Sequence, residues 1–298
     1  MIILDLSQVM LSNLMMQIGN HTNSSIEESM VRHMVLNSIR SYKIKFEGEY
    51  GELIIACDNK NYWRKKIFPY YKANRKKNIE NSELNWKEIF ECMNAIRAEL
   101  KEFFPYRIID VESTEADDII GTLCAEYGIT EEYIIHDDYV MSKPIEKILI
   151  LSGDKDFMQL QRFINVTQYD PVQKKYKKCD DPISFLKEHI IRGDSGDGIP
   201  NFLSTDNCLV IGDRQKPIMN KKLAEWIKQD PKQFCNESML RNYNRNEQLI
   251  DLMKIPTSVY AQILEAYHNQ ANKKRGDLLN YFMIHKLKNL TENIGDFV

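Results

Sequence analysis

Four short aliphatic runs, each ending in an acidic side chain, constrain this chain most. They are Ile2-Ile-Leu-Asp5, Leu53-Ile-Ile-Ala-Cys-Asp58, Arg107-Ile-Ile-Asp-Val-Glu112 and Ile148-Leu-Ile-Leu-Ser-Gly-Asp154. A strand apolar on both faces must be covered on both, which is the condition of a parallel sheet flanked by helices. The intervening segments have the complementary pattern. Ser24 and Ser25 precede Glu27 and Glu28 at capping-box spacing and open a helix carrying Met30, Met34, Ile39 and Ile44. Trp86, Ile89, Phe90, Met93, Ile96, Leu100 and Phe103 repeat near the helical period and stop at Pro105. Ser113 or Thr114 caps a third helix running to about Tyr127. Strands alternating with helices predict a doubly wound α/β domain over residues 1–180, a mostly parallel central sheet with flanking helices. Beyond Asp181 the pattern is helical, over 182–192, 221–229, 237–254 and 257–269, which predicts a helical C-terminal region over 181–298. Residues 129–147 read as a surface excursion and 193–217, rich in Gly, Asp, Asn and Pro, as loop.

Composition excludes several classes. With 43% hydrophobic and 28% charged residues the chain is not wholly disordered. No apolar run approaches the ~18 residues a membrane span needs, and the first residues lack the basic start of a signal peptide. Six scattered cysteines without a C-x-x-C pair argue against a zinc ribbon or disulfide scaffold and suit a reducing cytoplasm. The net charge of −3 does not by itself suggest nucleic acid, but its distribution does.

The acidic residues cluster where open parallel sheets bind ligands, at the carboxyl ends of strands. Asp5, Asp58 and Asp154 lie at such ends, with Asp156 two positions further on. Glu115, Asp117 and Asp118 open the helix after the third strand, and Asp194 and Asp197 share a Gly-flanked turn. Each pair singly has an ordinary explanation, since acidic groups favour first helical turns. Nine carboxylates in one cleft do not, because they repel unless cations neutralise them. Hard oxygen ligands point to two magnesium ions, with manganese as a substitute. An EF-hand is excluded at 194–205, because its twelfth position is Thr205.

From Tyr62 to Lys77 there are seven basic residues and no acidic one. Aromatics interleave with the cations, which suits base stacking and phosphate neutralisation. Lys72, Arg75 and Lys76 fall at i, i+3 and i+4, so one helical face can present all three. The position of this segment beside the Asp58 strand end lifts it above an ordinary solvated charge run. The run Lys174-Lys-Tyr-Lys-Lys178 is weaker, divided between DNA contact and an aggregation-resistant strand edge. The six histidines form no recognisable triad with acids and are read as structural.

In this order, Asp5, the Asp58 strand end, Tyr71-Lys-Ala-Asn-Arg75, Glu115-Ala-Asp-Asp118, Gly153-Asp-Lys-Asp-Phe157 and Gly193-Asp-Ser-Gly-Asp197 resemble the structure-specific 5′ nucleases, the flap endonuclease family. The likeness extends over essentially the whole chain, and is strongest to the branch of T-even phage ribonucleases H. It implies a metal-dependent 5′ to 3′ nuclease acting on RNA–DNA hybrids and on duplex or flap DNA. It implies that Asp5, Asp58, Glu115 and Asp117 hold a first metal and Asp154, Asp156, Asp194 and Asp197 a second. By the same resemblance Lys72 and Arg75 act on the scissile phosphate from a basic arch at about 60–80. Asp118 joins the catalytic set, Tyr71 stacks on a terminal base, and Lys76 and Lys77 add to nucleic-acid binding. The chain departs from the family after Asp197, where residues 198–214, beginning Gly198-Ile-Pro-Asn-Phe-Leu, replace the usual Gly-rich helix–hairpin–helix.

The implied setting is removal of RNA primers in lagging-strand replication, in a host cell's cytoplasm if phage-encoded, by a monomer. A single-stranded DNA-binding protein and a sliding clamp are the implied protein partners, with the 294–298 tail either a contact or frayed. The competing readings are a PIN-type endoribonuclease, which lacks the arch and the long helical C-terminal half, and a non-catalytic DNA-binding replisome protein.

Overall fold

The computed structural model describes residues 1–20, 27–130, 145–271 and 276–298, the side chains of 19, 20 and 76–78 excepted. Six strands form one sheet: β1 (Ile2–Asp5), β2 (Leu53–Ala56), β3 (Arg107–Ile109), β4 (Ile148–Leu151), β5 (Val166–Asp170) and β6 (Lys175–Lys177). Their spatial order is β3-β2-β1-β4-β5-β6. The first five are mutually parallel, with Ile3 beside Ile54 and Ile150, and β6 closes the edge antiparallel to β5. The chain winds outward from β1 to β3 and then restarts on the other side at β4. The reversal lies between β1 and β4, which is where an open α/β sheet forms its ligand crevice.

Fourteen α-helices can be named among the described residues: α1 (Leu6–Asn20), α2 (Glu28–Tyr50), α3 (Arg64–Ile67), α4 (Ala73–Glu80), α5 (Trp86–Phe103), α6 (Ala116–Tyr127), α7 (Pro182–Arg192), α8 (Cys208–Ile211), α9 (Asn220–Trp226), α10 (Pro231–Phe234), α11 (Glu237–Ile250), α12 (Thr257–Asn269), α13 (Leu278–Ile284) and α14 (Lys288–Thr291). Alternate strand residues serve opposite layers, as the period of two requires. Ile2, Leu4, Leu53, Ile55, Leu149 and Leu151 pack with α1, α2, α5 and α13. Ile3, Ile54, Ile148 and Ile150 pack with α6 and α12. Residues late in the chain therefore complete both layers: Ile263 and Tyr267 on one, Tyr281, Phe282 and Phe297 on the other. A third cluster joins Phe68 and Tyr71 to α7 and α11 through Ile190, Phe202, Tyr243 and Ile250.

Local sequence explains the helix ends that matter for the cleft. Asn85 caps α5 by accepting from the Glu88 N–H, and Phe104 leaves it in extended conformation ahead of Pro105. Asp181 caps α7, Pro182 occupies its first position, and Gly193 ends it at φ 67°. A Cβ at Gly193 would come within 2.5 Å of the Ile199 and Pro200 carbonyl oxygens, so only glycine fits.

Several expectations need correcting. Helix α2 starts at Glu28 with Glu27 as a cap whose side chain makes no capping bond, and Ser24 and Ser25 lie outside the described residues. Its buried stripe is Val31, Val35, Leu36, Ile39 and Phe46, while Met30 and Ile44 are exposed. Helix α6 is capped by Glu115, not by Ser113 or Thr114. Most of the 129–147 excursion lies outside the described residues. The 294–298 tail is not frayed. Phe297 is fully buried, Arg40 Nε donates to Asp296 Oδ2 at 2.6 Å and Lys43 Nζ to the Val298 carbonyl at 3.1 Å.

Candidate active site

The carboxyl ends of β1, β2 and β4 and the start of α6 converge at the sheet's crossover. Asp5 is 8% exposed and accepts from the Gln8 N–H at 3.1 Å and the Ser152 hydroxyl at 3.2 Å. Asp58 Oδ1 accepts from the Ala116 N–H at 2.9 Å, which holds the β2 end against the first turn of α6. Asp154 Oδ1 accepts from the Asp156 N–H at 3.0 Å, and Ser152 supports the Asp154 N–H at 3.2 Å.

These groups repel one another. Burial pushes the Asp5 carboxyl up to about 7, and the nearby Asp58 and Asp154 charges add to the push. Asp117 is raised well above the ordinary range, first by burial. Lys72 opposes that shift, and Asp154, Glu115 and Asp58 strengthen it. Asp156 is pushed up to about 7 by burial; His189 draws it down, while Asp154, Asp194 and Asp197 push it further up.

The remaining carboxylates have cationic partners inside the protein. Glu115 is 1% exposed, Asp118 is fully buried, and both touch Arg64 Nη1, at 2.9 and 2.8 Å. The Arg64 guanidinium also donates through Nε to the Leu249 carbonyl at 2.9 Å and lies 4.5 Å from the Trp63 ring. Burial works against its charge, but Asp118 and Glu115 more than offset this. Lys72 Nζ pairs closely with Glu115 Oε1 and lies 3.6 Å from Asp197 Oδ2. Arg75 Nη2 reaches Asp197 Oδ1 at 2.8 Å. Lys155 Nζ and His189 Nε2 lie 2.8 and 3.0 Å from Asp194 Oδ2. Burial alone would raise Asp194, but the bonds from His189 and Lys155 hold it well below the ordinary range.

The basic segment therefore folds back on the acidic one. Lys72, at φ 56°, donates its backbone N–H to the Asp197 carbonyl at 2.7 Å. Gly198 makes the approach possible: a Cβ there would stand 2.8 Å from the Tyr70 carbonyl oxygen. Sequence reasoning placed Lys72, Arg75 and Lys76 on one helical face. Lys72 instead precedes α4, and it meets Arg75 by converging on Asp197; the side chains of Lys76 and Lys77 are outside the described residues. Tyr71 is not a stacking surface. It is 2% exposed, and its hydroxyl donates to Glu115 Oε2 at 2.8 Å or Asp197 Oδ2 at 3.1 Å. Asp118 does not face the crevice either: its Oδ2 accepts from the Glu115 N–H at 2.9 Å, closing the capping box. Asp110, from the third aliphatic run, turns away to Lys101 and Asn59. Lys177, on the edge strand β6, bonds the Gly153 carbonyl and so supports the Asp154 loop.

Two participants escaped the sequence reading. Arg64 was one cation in a basic run, and its burial beneath two carboxylates has no local signal. His189 lies between Asp156 and Asp194; the three ligand atoms are within 4.8 Å of one another. Its spacing of five from Asp194 was the available clue. The donor set fits a divalent cation: crowded carboxylates short of protein counter-charge, with Asp156 Oδ1 buried and lacking a hydrogen-bond partner.

Residues 2–188 match the 5′-3′ exonuclease N-terminal resolvase-like domain, and residues 183–297 match the T4 RNase H C-terminal domain. The chain belongs to the 5′-3′ exonuclease family. Among individual relatives, ribonuclease H of Enterobacteria phage T4 is 32% identical, over 99% of this chain and 95% of its own length. A 5′-3′ exonuclease of Buchnera aphidicola (subspecies Acyrthosiphon pisum) is 30% identical over 50% of this chain and 46% of its own length. The fold matches the zinc-bound T5 5′-exonuclease, and the bacteriophage T5 flap endonuclease in complex with DNA and metal ions. Each has a TM-score of 0.60 and 15% identity, covering 91% of this chain and 99% of the other. No helix among the described residues is long and apolar enough to cross a membrane.

Proposed function

We propose that the chain is a magnesium-dependent 5′ to 3′ nuclease that hydrolyses phosphodiesters of RNA–DNA hybrids and duplex DNA from 5′ ends, and also cuts flaps. One observation carries the reading: carboxylates from separate strand ends crowd one crevice, with the basic arch seated directly on it. Asp5, Asp58, Glu115 and Asp117 hold a first cation, and Asp154, Asp156, Asp194 and Asp197 surround a second, partly through water. Manganese serves as a substitute. When bound, two such ions would supply Lewis-acid activation of water and charge stabilisation at the leaving 3′ oxygen.

The chain's own residues do the rest. Lys72 and Arg75, now paired with Glu115 and Asp197, exchange those carboxylates for phosphate oxygens and position the scissile group. Arg64 and Tyr71 keep Glu115 aimed while the arch engages substrate. No Ser, Cys or His nucleophile is needed, and products carry 5′-phosphate and 3′-hydroxyl ends. The helical region over 181–298 grips the duplex. The biological task is primer removal on the lagging strand, in the cytoplasm and beside a single-stranded DNA-binding protein and sliding clamp.

The test uses a 5′-labelled RNA–DNA hybrid and a labelled flap, with magnesium and then with chelator. Wild-type protein releases 5′-phosphate products only with magnesium, and Asp154→Asn releases none while still binding duplex. Wild-type rates from Asp154→Asn would reject the assignment.

A further inference from the structure

Among the described residues, His189 stands between two of the cleft's carboxylates. It belongs to the last turn of α7, where Leu186, Ile190 and Ile191 anchor the helix in the third hydrophobic cluster, and it is only 6% exposed. Its Nε2 is 3.0 Å from Asp194 Oδ2. An ionised carboxylate only accepts, so Nε2 carries the hydrogen, and in the neutral ring Nδ1 carries a lone pair. That lone pair faces Asp156 Oδ1 at 3.6 Å, beyond hydrogen-bond range, and neither atom has a hydrogen-bond partner. Two buried polar atoms facing one another without a partner cost free energy unless a proton or a cation sits between them. Two atoms bound to one cation at about 2.1 Å each stand up to ~4.2 Å apart, which accommodates the separation.

Asp194 is differently placed. Its Oδ2 takes His189 and Lys155, and its Oδ1 takes the Gly196 and Asp197 N–H groups at 2.8 and 3.2 Å. Both oxygens are already engaged. Metal-bound imidazoles commonly donate their second N–H to a carboxylate, which fixes the ring's tautomer and orientation.

We propose that His189 Nδ1 and Asp156 Oδ1 are direct ligands of the second cation, and that Asp194 acts one step back as the carboxylate orienting the imidazole. The inference rests on the two-cation reading above and replaces one of its ligands. A nitrogen donor tilts this position away from magnesium and toward transition ions, which imidazole suits better. The second position is thus the one that discriminates between metals.

The test uses the full chain, stripped by chelator and titrated with cobalt(II) or magnesium alone. Calorimetry reads affinity, and proton NMR of the cobalt form reads the ligand. The expected spectrum has an exchangeable imidazole N–H shifted outside the diamagnetic range, lost in heavy water and absent from His189→Gln. That variant binds cobalt about 10–100-fold more weakly, and its magnesium affinity changes far less. Stoichiometric cobalt binding by wild type without the shifted N–H overturns the His189 assignment and leaves the carboxylate cage standing. Equal cobalt affinity in His189→Gln overturns it as well. Absence of binding heat for both metals in wild type overturns the two-cation reading itself. Should His189→Gln fail to fold, the wild-type spectrum alone decides.

Discussion

Replacing Arg64 with methionine is the sharpest perturbation of this cleft. The change keeps most of the side-chain volume and removes a guanidinium that is 2% exposed and shared by Glu115 and Asp118. Removing one partner of a buried ion pair costs about 3–5 kcal/mol, because the other charge stays buried without compensation. Here two carboxylates are left behind, although Lys72 still pairs with Glu115, and the Leu249 carbonyl loses its donor. Against a typical total stability of about 5–15 kcal/mol, that is a large fraction. At roughly 2–4 °C per kcal/mol the melting temperature falls by about 6–20 °C. Thermal and urea denaturation of wild type, Arg64→Met, Asp118→Asn and the double variant measure the loss. The double variant should recover at least about 1 kcal/mol relative to the sum of the singles. An Arg64→Met protein that melts within about 2 °C of wild type would refute the claim that this cation neutralises the base of the site.

Three further outcomes follow from the same geometry. Burial pushes the Asp5 and Asp156 carboxyls up to about 7 from an ordinary 3.8. A carboxyl that binds its proton more tightly when folded contributes stability that is present below about pH 4 and declines as pH rises to about 7. Urea midpoints in chelator should fall across that window, and magnesium should flatten the fall; a level chelator profile contradicts the burial argument. Asp194, held low, acts in the opposite sense and only at more acidic pH. Phe297→Ala empties a fully buried site beside Phe104 and Phe282, and should cost about 3–5 kcal/mol by chemical denaturation; an unchanged midpoint would restore a frayed tail. Lys72→Ala and Arg75→Ala should each slow single-turnover cleavage about 10²-fold or more at saturating enzyme, with full rates in either arguing against phosphate positioning.

The layers of the fold were legible because their signals are local. Runs such as Ile148–Leu151 are apolar at every position, so a parallel sheet covered on both faces is the arrangement that buries them. The stripe of Trp86, Ile89, Phe90, Met93, Ile96, Leu100 and Phe103 gave α5 in the same way, although its buried face is Ile89, Cys92, Ile96 and Leu100. Strand-end carboxylates were legible too, since parallel topology brings those ends to one edge. What sequence could not supply was how the charges are shared out. Arg64, Lys72 and Arg75 are all equally basic in a one-dimensional reading. Only the docking of the arch on the 194–198 turn decides that Arg64 is sealed beneath Glu115 and Asp118 while Arg75 stays at the surface. Tyr71 was misread because aromatic character predicts stacking, whereas its hydroxyl can be satisfied inside by Glu115. His189 was overlooked because a lone histidine on an apolar helix face is ordinarily core. Its partner Asp156 is brought to it by packing of α7 on the turn after β4.

The central claim is that these carboxylates enclose divalent cations. Crystals of the full chain grown with manganese and measured at its absorption edge test it most directly. Anomalous peaks are expected within coordination distance of Asp5, Asp58 and Asp117 on one side, and of Asp156 and His189 on the other. Manganese bound only outside this crevice would contradict it.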